Sequence, residues 1–130
     1  MQATNEDRLA KIKRADEAEA AIDIRQVAKC FGEQRVLDGI SFQVRRGETL
    51  AVLGRSGTGK SVLLRIIVGL QSPDSGEALV LGKNMSSAST KEIGEVRTQM
   101  GFLFQHAALY DSLTVEENVA FPLVHHRRDM

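Results

Sequence analysis

Eight consecutive residues combine the residue types that bind a chain of phosphates. Residues 54–61 read Gly-Arg-Ser-Gly-Thr-Gly-Lys-Ser. Glycines reach backbone angles closed to other residues and let an anion approach successive main-chain N–H groups. Lys60 carries a charge on a long stem, and the hydroxyl oxygen of Ser61 is a ligand suited to Mg²⁺. The match to G-x-x-x-x-G-K-[ST] predicts a loop that binds a nucleoside triphosphate.

The residues on either side of this loop predict the elements that hold it. Residues 50–53 are continuously apolar, which is typical of a central strand buried on both faces. Apolar residues then follow at helical spacing, predicting a helix whose positive end faces the loop; they are Leu63, Ile66, Ile67 and Leu70. The predicted nucleotide-binding residues are Gly54, Arg55, Ser56, Gly57, Thr58, Gly59, Lys60, Ser61 and Val62. Arg55 and Thr58 are expected to offer backbone N–H groups, and the Thr58 hydroxyl is a further candidate for phosphate.

Short motifs elsewhere predict the remaining elements. Two alternating runs, beginning near residues 21 and 35 and separated by a Gly-Glu turn at 32–33, predict neighbouring antiparallel strands with one solvated face. Residues 77–82 and 100–104 are predicted strands. Ser89 with Glu92, and Thr114 with Glu117, predict capped helix starts. Pro122 is expected to end the second of these helices. The order indicates an α/β fold: a P-loop NTPase (RecA-like) core with an antiparallel β edge.

Composition limits the class of protein. With 130 residues, 42% apolar and 26% charged, the chain suits one ordinary globular domain. The formal net charge is zero, which gives no support to a nucleic-acid binder. A single cysteine, Cys30, permits no internal disulfide and favours a reducing compartment. Residues 1–20 predict a charged leader, flexible or helical, with a partner-docking arm as the alternative, and residues 21–130 the main domain.

The sequence resembles the ATP-binding cassette family, the ATPase subunits of ABC transporters. The resemblance rests on "VLDGISFQVRRGETLAVLGRSGTGKSVLLRIIVGLQSPDSGEALVLGK", on "MGFLFQ" and on "LTVEENVAFPL". It implies that residues 54–61 are a Walker A loop for ATP and Mg²⁺. It also implies that Phe31 stacks on adenine, although a core residue at a strand end remains the alternative. Gln105 would be the Q-loop glutamine, which ligates Mg²⁺ with Ser61 and acts with Lys60 in catalysis.

The resemblance also implies partners and a place in the cell. These are a transmembrane permease subunit and a second cassette, with the protein cytoplasmic and peripheral at the cytoplasmic face of the inner membrane. "FLFQHAALYDSLTVEENVAFPL" is similar to the ATPases of the Mla group, which work with MCE-type proteins in phospholipid transport. An importer or exporter of another substrate is the alternative.

Two motifs of a working cassette are missing from the sequence. No LSGGQ-like signature occurs. Asp111 follows an apolar run, but Ser112 stands where a Walker B glutamate belongs. The chain therefore corresponds to the N-terminal part of a cassette, and we expect weak nucleotide binding with negligible turnover from it alone. The alternative function is a half-cassette that binds nucleotide or a partner and catalyses nothing.

Overall fold

The computed structural model describes the backbone of residues 4–106 and 108–126, and their side chains except those of 13–19 and 126. The chain forms two compact units, Met1–Val96 and Arg97–Met130. All strands found in the described residues lie in the first unit. A domain boundary near residue 21 stays a prediction.

The first element is the helix α1, Asn5–Glu19. Thr4 caps it: the Asp7 N–H donates to Thr4 Oγ1 at 3.3 Å, and the Thr4 N–H donates to the Asp7 carboxylate at 3.2 Å. This reciprocal arrangement satisfies N–H groups that have no acceptor inside a helix. Leu9 and Ile12 are exposed. Of the two forms predicted for the leader, the helical one is found.

A four-stranded sheet with the order β2-β1-β3-β4 forms the body of the first unit. The strands are β1 (Ala20–Phe31), β2 (Gln34–Arg45), β3 (Ser75–Val80) and β4 (Lys83–Asn84). Every neighbouring pair is antiparallel. The predicted hairpin is confirmed, with Phe31 paired to Gln34 across the turn at 32–33. The predicted strand at 77–82 is found as β3.

Helix α2, Lys60–Ile67, packs against β3. Its apolar face carries Leu63, Ile66 and Ile67, all buried, so the predicted helical spacing is confirmed for these three. Leu70 lies beyond the helix and is 56% exposed, so its predicted place on that face is wrong. Ile24, Val27, Ile66 and Val80 are the largest fully buried side chains, which places the core between the sheet and α2.

Two predicted strands are wrong. Residues 48–53 and 100–104 have no regular secondary structure. Leu53 is 91% exposed and Leu103 is 96% exposed, so neither segment is buried. A buried strand needs hydrogen-bonded neighbours on both edges, and the described strands pair only among themselves. An apolar run in the sequence does not by itself provide the neighbouring strands that such burial requires.

Two more helices begin where their capping boxes predict. Helix α3 is Thr90–Arg97, and the Glu92 N–H donates to Ser89 Oγ at 3.3 Å. Helix α4 is Val115–His126, and the Glu117 N–H donates to Thr114 Oγ1 at 3.2 Å. Pro122 lies inside α4, so its prediction as the helix end is wrong. Proline removes one N–H donor, and α4 continues past that gap. None of the described helices is both long and apolar enough to cross a membrane.

Candidate functional site

The glycine-rich loop has a backbone that requires glycine at two places. Gly57 has φ of 79° and Gly59 has φ of 96°, both in the left-handed region. Between them, the Thr58 N–H donates to the Arg55 carbonyl at 3.3 Å, and Thr58 Oγ1 donates to the same oxygen at 2.7 Å. The Thr58 hydroxyl, a candidate for phosphate, is thus used inside the loop.

Gly59 joins the loop both to the sheet and to α2. A Cβ atom built on Gly59 would lie 2.8 Å from Val36 Cγ1 and 2.9 Å from the Val36 carbonyl oxygen. Gly59 is also the N-cap of α2, and its carbonyl accepts from the Leu63 N–H at 2.9 Å. With no side chain at the cap, the first-turn N–H groups of α2 have no side-chain acceptor there. This end of the helix suits an anion.

Lys60 folds back over the loop that precedes it. Its Nζ donates to the carbonyl oxygens of Gly54 and Arg55, the latter at 2.9 Å. The ammonium therefore lies against the loop backbone, and the residue is half-buried. Ser61 and Val62 follow in the first turn of α2, with Ser61 exposed and Val62 half-buried.

A cavity of about 470 Å³ lies on the apolar side of the loop. Apolar side chains from β2, from residues 50–53 and from α2 line most of it, together with Gly54, Thr58, Gly59 and Lys60. Such a lining suits apolar packing, since phosphates require polar partners.

Phe31 is the last residue of β1 and is 48% exposed. The alternative of a core residue does not fit this exposure. The Lys29 ammonium lies over its ring, 5.8 Å from the centroid.

Gln105 belongs to the second compact unit, where it is exposed in a bend after residues 100–104. The structure brings the predicted residues of 54–62 together in one loop and helix start. Phe31 lies at the hairpin end of the same unit. The roles of all of these residues in ligand binding stay predictions, as does a site shared with Gln105.

Sequence analysis missed that the Arg55 carbonyl binds both Thr58 and Lys60, because every residue carries a carbonyl and no side-chain type marks this one. Among the side chains that the structure describes, no three His, Cys, Asp or Glu lie close enough together to hold a metal ion.

A profile described as ABC transporter matches residues 37–130. The chain belongs to the ABC transporter family. The α/β P-loop fold with an antiparallel edge, predicted from the sequence, is confirmed by solved cassettes of the same fold.

Relatives and solved structures give the extent of the likeness. The chain is 47% identical to the protein TRIGALACTOSYLDIACYLGLYCEROL 3, chloroplastic, of Arabidopsis thaliana, over 83% of this chain and 31% of the relative. It is 45% identical to the methionine import ATP-binding protein MetN of Rhizobium johnstonii, over 82% of this chain and 29% of MetN. Against the dimeric bacterial ABC transporter cassette MJ0796, the sequence identity is 32% and the TM-score is 0.73. The match covers 80% of this chain and 47% of MJ0796. The chain thus spans about a third of these curated relatives and under half of that cassette.

A further MJ0796 structure is described as a post-hydrolysis state bound to ADP and Pi. Its TM-score to this chain is 0.71 at 31% identity, over 80% of this chain and 47% of that one. Because the chain spans under half of that cassette, ATPase activity of the whole protein stays a proposal.

Proposed function

We propose that the chain binds ATP through residues 54–62 and supplies the nucleotide-binding part of a transporter ATPase. The observation that carries the proposal is the position of Lys60. Its ammonium bonds the carbonyl oxygens of Gly54 and Arg55, directly beside the uncapped N-terminus of α2. Phosphate oxygens entering here meet a positive charge and helix N–H groups together.

Binding of the triphosphate would exchange the partners of Lys60. The ammonium would leave two neutral carbonyls for the β- and γ-phosphates, whose oxygens add the attraction of a negative charge to the hydrogen bond. The N–H groups of the loop would hold the remaining phosphate oxygens. Ser61, with its hydroxyl exposed one residue after Lys60, would hold Mg²⁺. The ion neutralises charge between the phosphates.

Hydrolysis is proposed for the whole protein, in which Gln105 would ligate Mg²⁺ and orient water. We also propose a second cassette and a transmembrane permease as partners, because relatives are import ATP-binding proteins and one solved cassette is dimeric. With these partners, we propose that the protein acts in the cytoplasm, at the cytoplasmic face of the inner membrane.

For this chain alone we propose binding without steady turnover. Its residues include no LSGGQ-like string, and no Asp-Glu pair follows an apolar strand. Phosphate positioning by the loop is then the remaining source of barrier lowering. Steady ATP hydrolysis by the purified chain that is lost in Lys60→Ala would contradict this part.

Phospholipid is the substrate that we propose for the whole transporter. The sequence of residues 102–123, which resembles that of the Mla group, favours it, and one relative is named after a glycerolipid. Other relatives are named for import of methionine and of sulfate or thiosulfate. ATPase stimulation by phospholipid vesicles, with the permease present, would separate these classes; stimulation by methionine or sulfate alone would overturn the lipid proposal.

The binding proposal is tested by titrating the chain with a fluorescent ATP analogue in the presence of Mg²⁺. Lys60→Ala should lower the affinity for the ATP analogue by about tenfold or more, because it removes a hydrogen bond between charged groups and such a bond contributes that much to binding. Lys91→Ala is the matched control, because Lys91 is an exposed lysine in the first turn of α3. Equal affinities of the native chain and Lys60→Ala would overturn the proposal.

A further inference from the structure

The end of β1 that carries Phe31 is held by Asp74, from the turn before β3. Backbone pairing between β1 and β3 ends at Ala28 and Ser75. Beyond that point the Asp74 N–H donates to the Ala28 carbonyl at 2.9 Å. Its carboxylate then accepts from the Cys30 N–H at 2.7 Å. Asp74 thus extends the contact with β1 past the last paired residues.

The other carboxylate oxygen of Asp74 binds Lys29. The Lys29 Nζ donates to Asp74 Oδ1 at 2.8 Å, so each oxygen serves a different donor on adjacent residues of β1. Both bonds involve an ionised group and are of the stronger kind. The Lys29 ammonium, and next the Cys30 N–H, hold the pKa of Asp74 below its ordinary value. The carboxylate is therefore ionised at neutral pH.

Lys29 in turn lies against Phe31. Its side chain is only 16% exposed, and its ammonium lies over the ring at 5.8 Å from the centroid, within the range of a cation–π contact. One face of the Phe31 ring thus has a partner within the protein. Because the residue is still 48% exposed, surface remains for a flat ligand.

The strand register places Phe31 near the phosphate loop. Phe31 pairs with Gln34 of β2, and Val36, two residues further along β2, is the residue that Gly59 approaches. At about 3.3 Å per residue, Gln34 and Val36 are roughly 7 Å apart along the strand. The ring and the loop are therefore held by neighbouring parts of one strand pair.

We propose that Asp74 is a positioning residue for the adenine ring. Through the Cys30 N–H and the Lys29 ammonium it fixes the strand end and the ring face of Phe31, so that a base stacks on the other face. Lys29 is the intermediate in this contact chain. The inference rests on the proposed function, since it requires that residues 54–62 bind the triphosphate of the same nucleotide.

The ratio of the affinity for ATP to the affinity for tripolyphosphate separates this positioning role of Asp74 from a merely structural one. ATP and inorganic tripolyphosphate are each titrated in competition with a fluorescent ATP analogue, and only ATP carries a base. A variant that weakens the whole fold lowers both affinities, whereas one that misplaces Phe31 lowers the affinity for ATP alone. Base–aromatic stacking predicts a loss of about fivefold or more in ATP affinity for Phe31→Ala, with tripolyphosphate unchanged.

Asp74→Asn should lower the ATP affinity about threefold and leave the tripolyphosphate affinity unchanged, and Lys29→Met should do the same. The matched control is Glu77→Gln, because Glu77 is an exposed acid three residues away whose bond to Asn84 survives the change. Circular dichroism of each variant checks folding, and Lys29→Met serves if Asp74→Asn does not fold.

Each outcome decides the matter. Suppose that Phe31→Ala lowers the affinity for ATP alone, but that Asp74→Asn and Lys29→Met leave the ratio of ATP affinity to tripolyphosphate affinity unchanged. This result overturns the positioning role of Asp74 and leaves nucleotide binding intact. Loss of both affinities in equal measure assigns Asp74 to the fold alone. Failure of the native chain to bind either compound overturns the proposed function, and the inference with it.

Discussion

The Nζ atom of Lys60 donates to the carbonyl oxygen of Arg55 at 2.9 Å and also to that of Gly54, so the loop backbone holds its own lysine. Both acceptors are neutral, and both belong to residues five and six positions earlier in the chain. A phosphate has a negative charge that these oxygens lack. Under the proposed function, ligand binding would therefore be an exchange of acceptors around a charge that is already in place.

This exchange predicts a dependence on salt. The ATP affinity of the native chain should fall as ionic strength rises, because the loop is exposed and mobile ions screen its charge. Lys60→Met should bind ATP about tenfold more weakly at low salt and show a shallower dependence. Titrations at several NaCl concentrations measure this, with Lys91→Met as the control. Identical salt dependence in Lys60→Met and the native chain would show that Lys60 does not face the phosphates.

The close approach of Gly59 to β2 predicts a large cost for a methyl group. Gly59→Ala would place a Cβ 2.8 Å from Val36 Cγ1 at a residue with φ of 96°. Such strain costs about 1–3 kcal/mol, so the free energy of unfolding should fall by that amount. Urea unfolding followed by circular dichroism measures it.

Gly94→Ala is the control for that experiment and should act in the opposite direction. Gly94 lies inside α3, and apart from its chain neighbours and the backbone of α3 itself no described atom is within 4 Å of a Cβ built on it. Alanine in a helix interior is favoured over glycine by about 0.5–1 kcal/mol. A loss of stability in Gly94→Ala as large as in Gly59→Ala would remove the steric explanation.

Glu92 predicts a loss of stability in acid. Bonds from the Ser89 N–H, from the Lys83 ammonium and from the Ser89 hydroxyl lower the pKa of Glu92 from 4.5 to about 2. Because the folded pKa lies below the unfolded one, this contribution is present above pH 4.5 and is lost as the pH falls towards 2. The urea concentration at the unfolding midpoint, measured between pH 6 and 2, should therefore decrease as the pH drops from 4.5 towards 2. The fall should be smaller in Glu92→Gln than in the charge-matched control Glu77→Gln; equal curves would contradict the assignment.

The hydrogen bonds of Asn118 predict that substituting this residue changes hydrogen exchange locally, within the second unit. Its Oδ1 accepts from the Tyr110 N–H at 2.8 Å, and its Nδ2 donates to the carbonyls of Tyr110, Leu113 and Thr114 at 2.9–3.2 Å. Asn118→Ala should speed hydrogen exchange at the Tyr110 amide by about tenfold or more. Asn118→Asp keeps an acceptor for that amide, so its protection should be better preserved. Equal exchange in the native chain and Asn118→Ala would contradict this contact.

The features that sequence predicted correctly depend on residues close together in the chain. Ser89 with Glu92 fixes a helix start within three residues, and Gly32 with Glu33 fixes the hairpin turn. By contrast, Asp74 binds Cys30 across 44 positions, and neither residue type marks that contact. Pairing partners of this kind are settled by the tertiary fold.

The apolar run at 50–53 shows the same limit in another way. Four apolar residues predict burial, but burial of a strand also requires neighbours that satisfy its N–H and C=O groups. Leu53 lies 91% exposed, while Ile66, in a run of similar hydrophobicity, is fully buried. Composition alone does not distinguish these two positions, because the difference lies in what packs against them.

That difference predicts opposite outcomes for two substitutions. Leu53→Asn should change the free energy of unfolding of this chain by no more than about 0.5 kcal/mol, since the side chain is already in water. Ile66→Ala should lower it by about 2–5 kcal/mol, because it opens a cavity between α2 and the sheet. Urea unfolding of both variants measures this, with Leu64→Asn, on the exposed side of α2, as a second control. A cost at Leu53 comparable to that at Ile66 would mean that residues 50–53 are packed in solution as a buried strand would be.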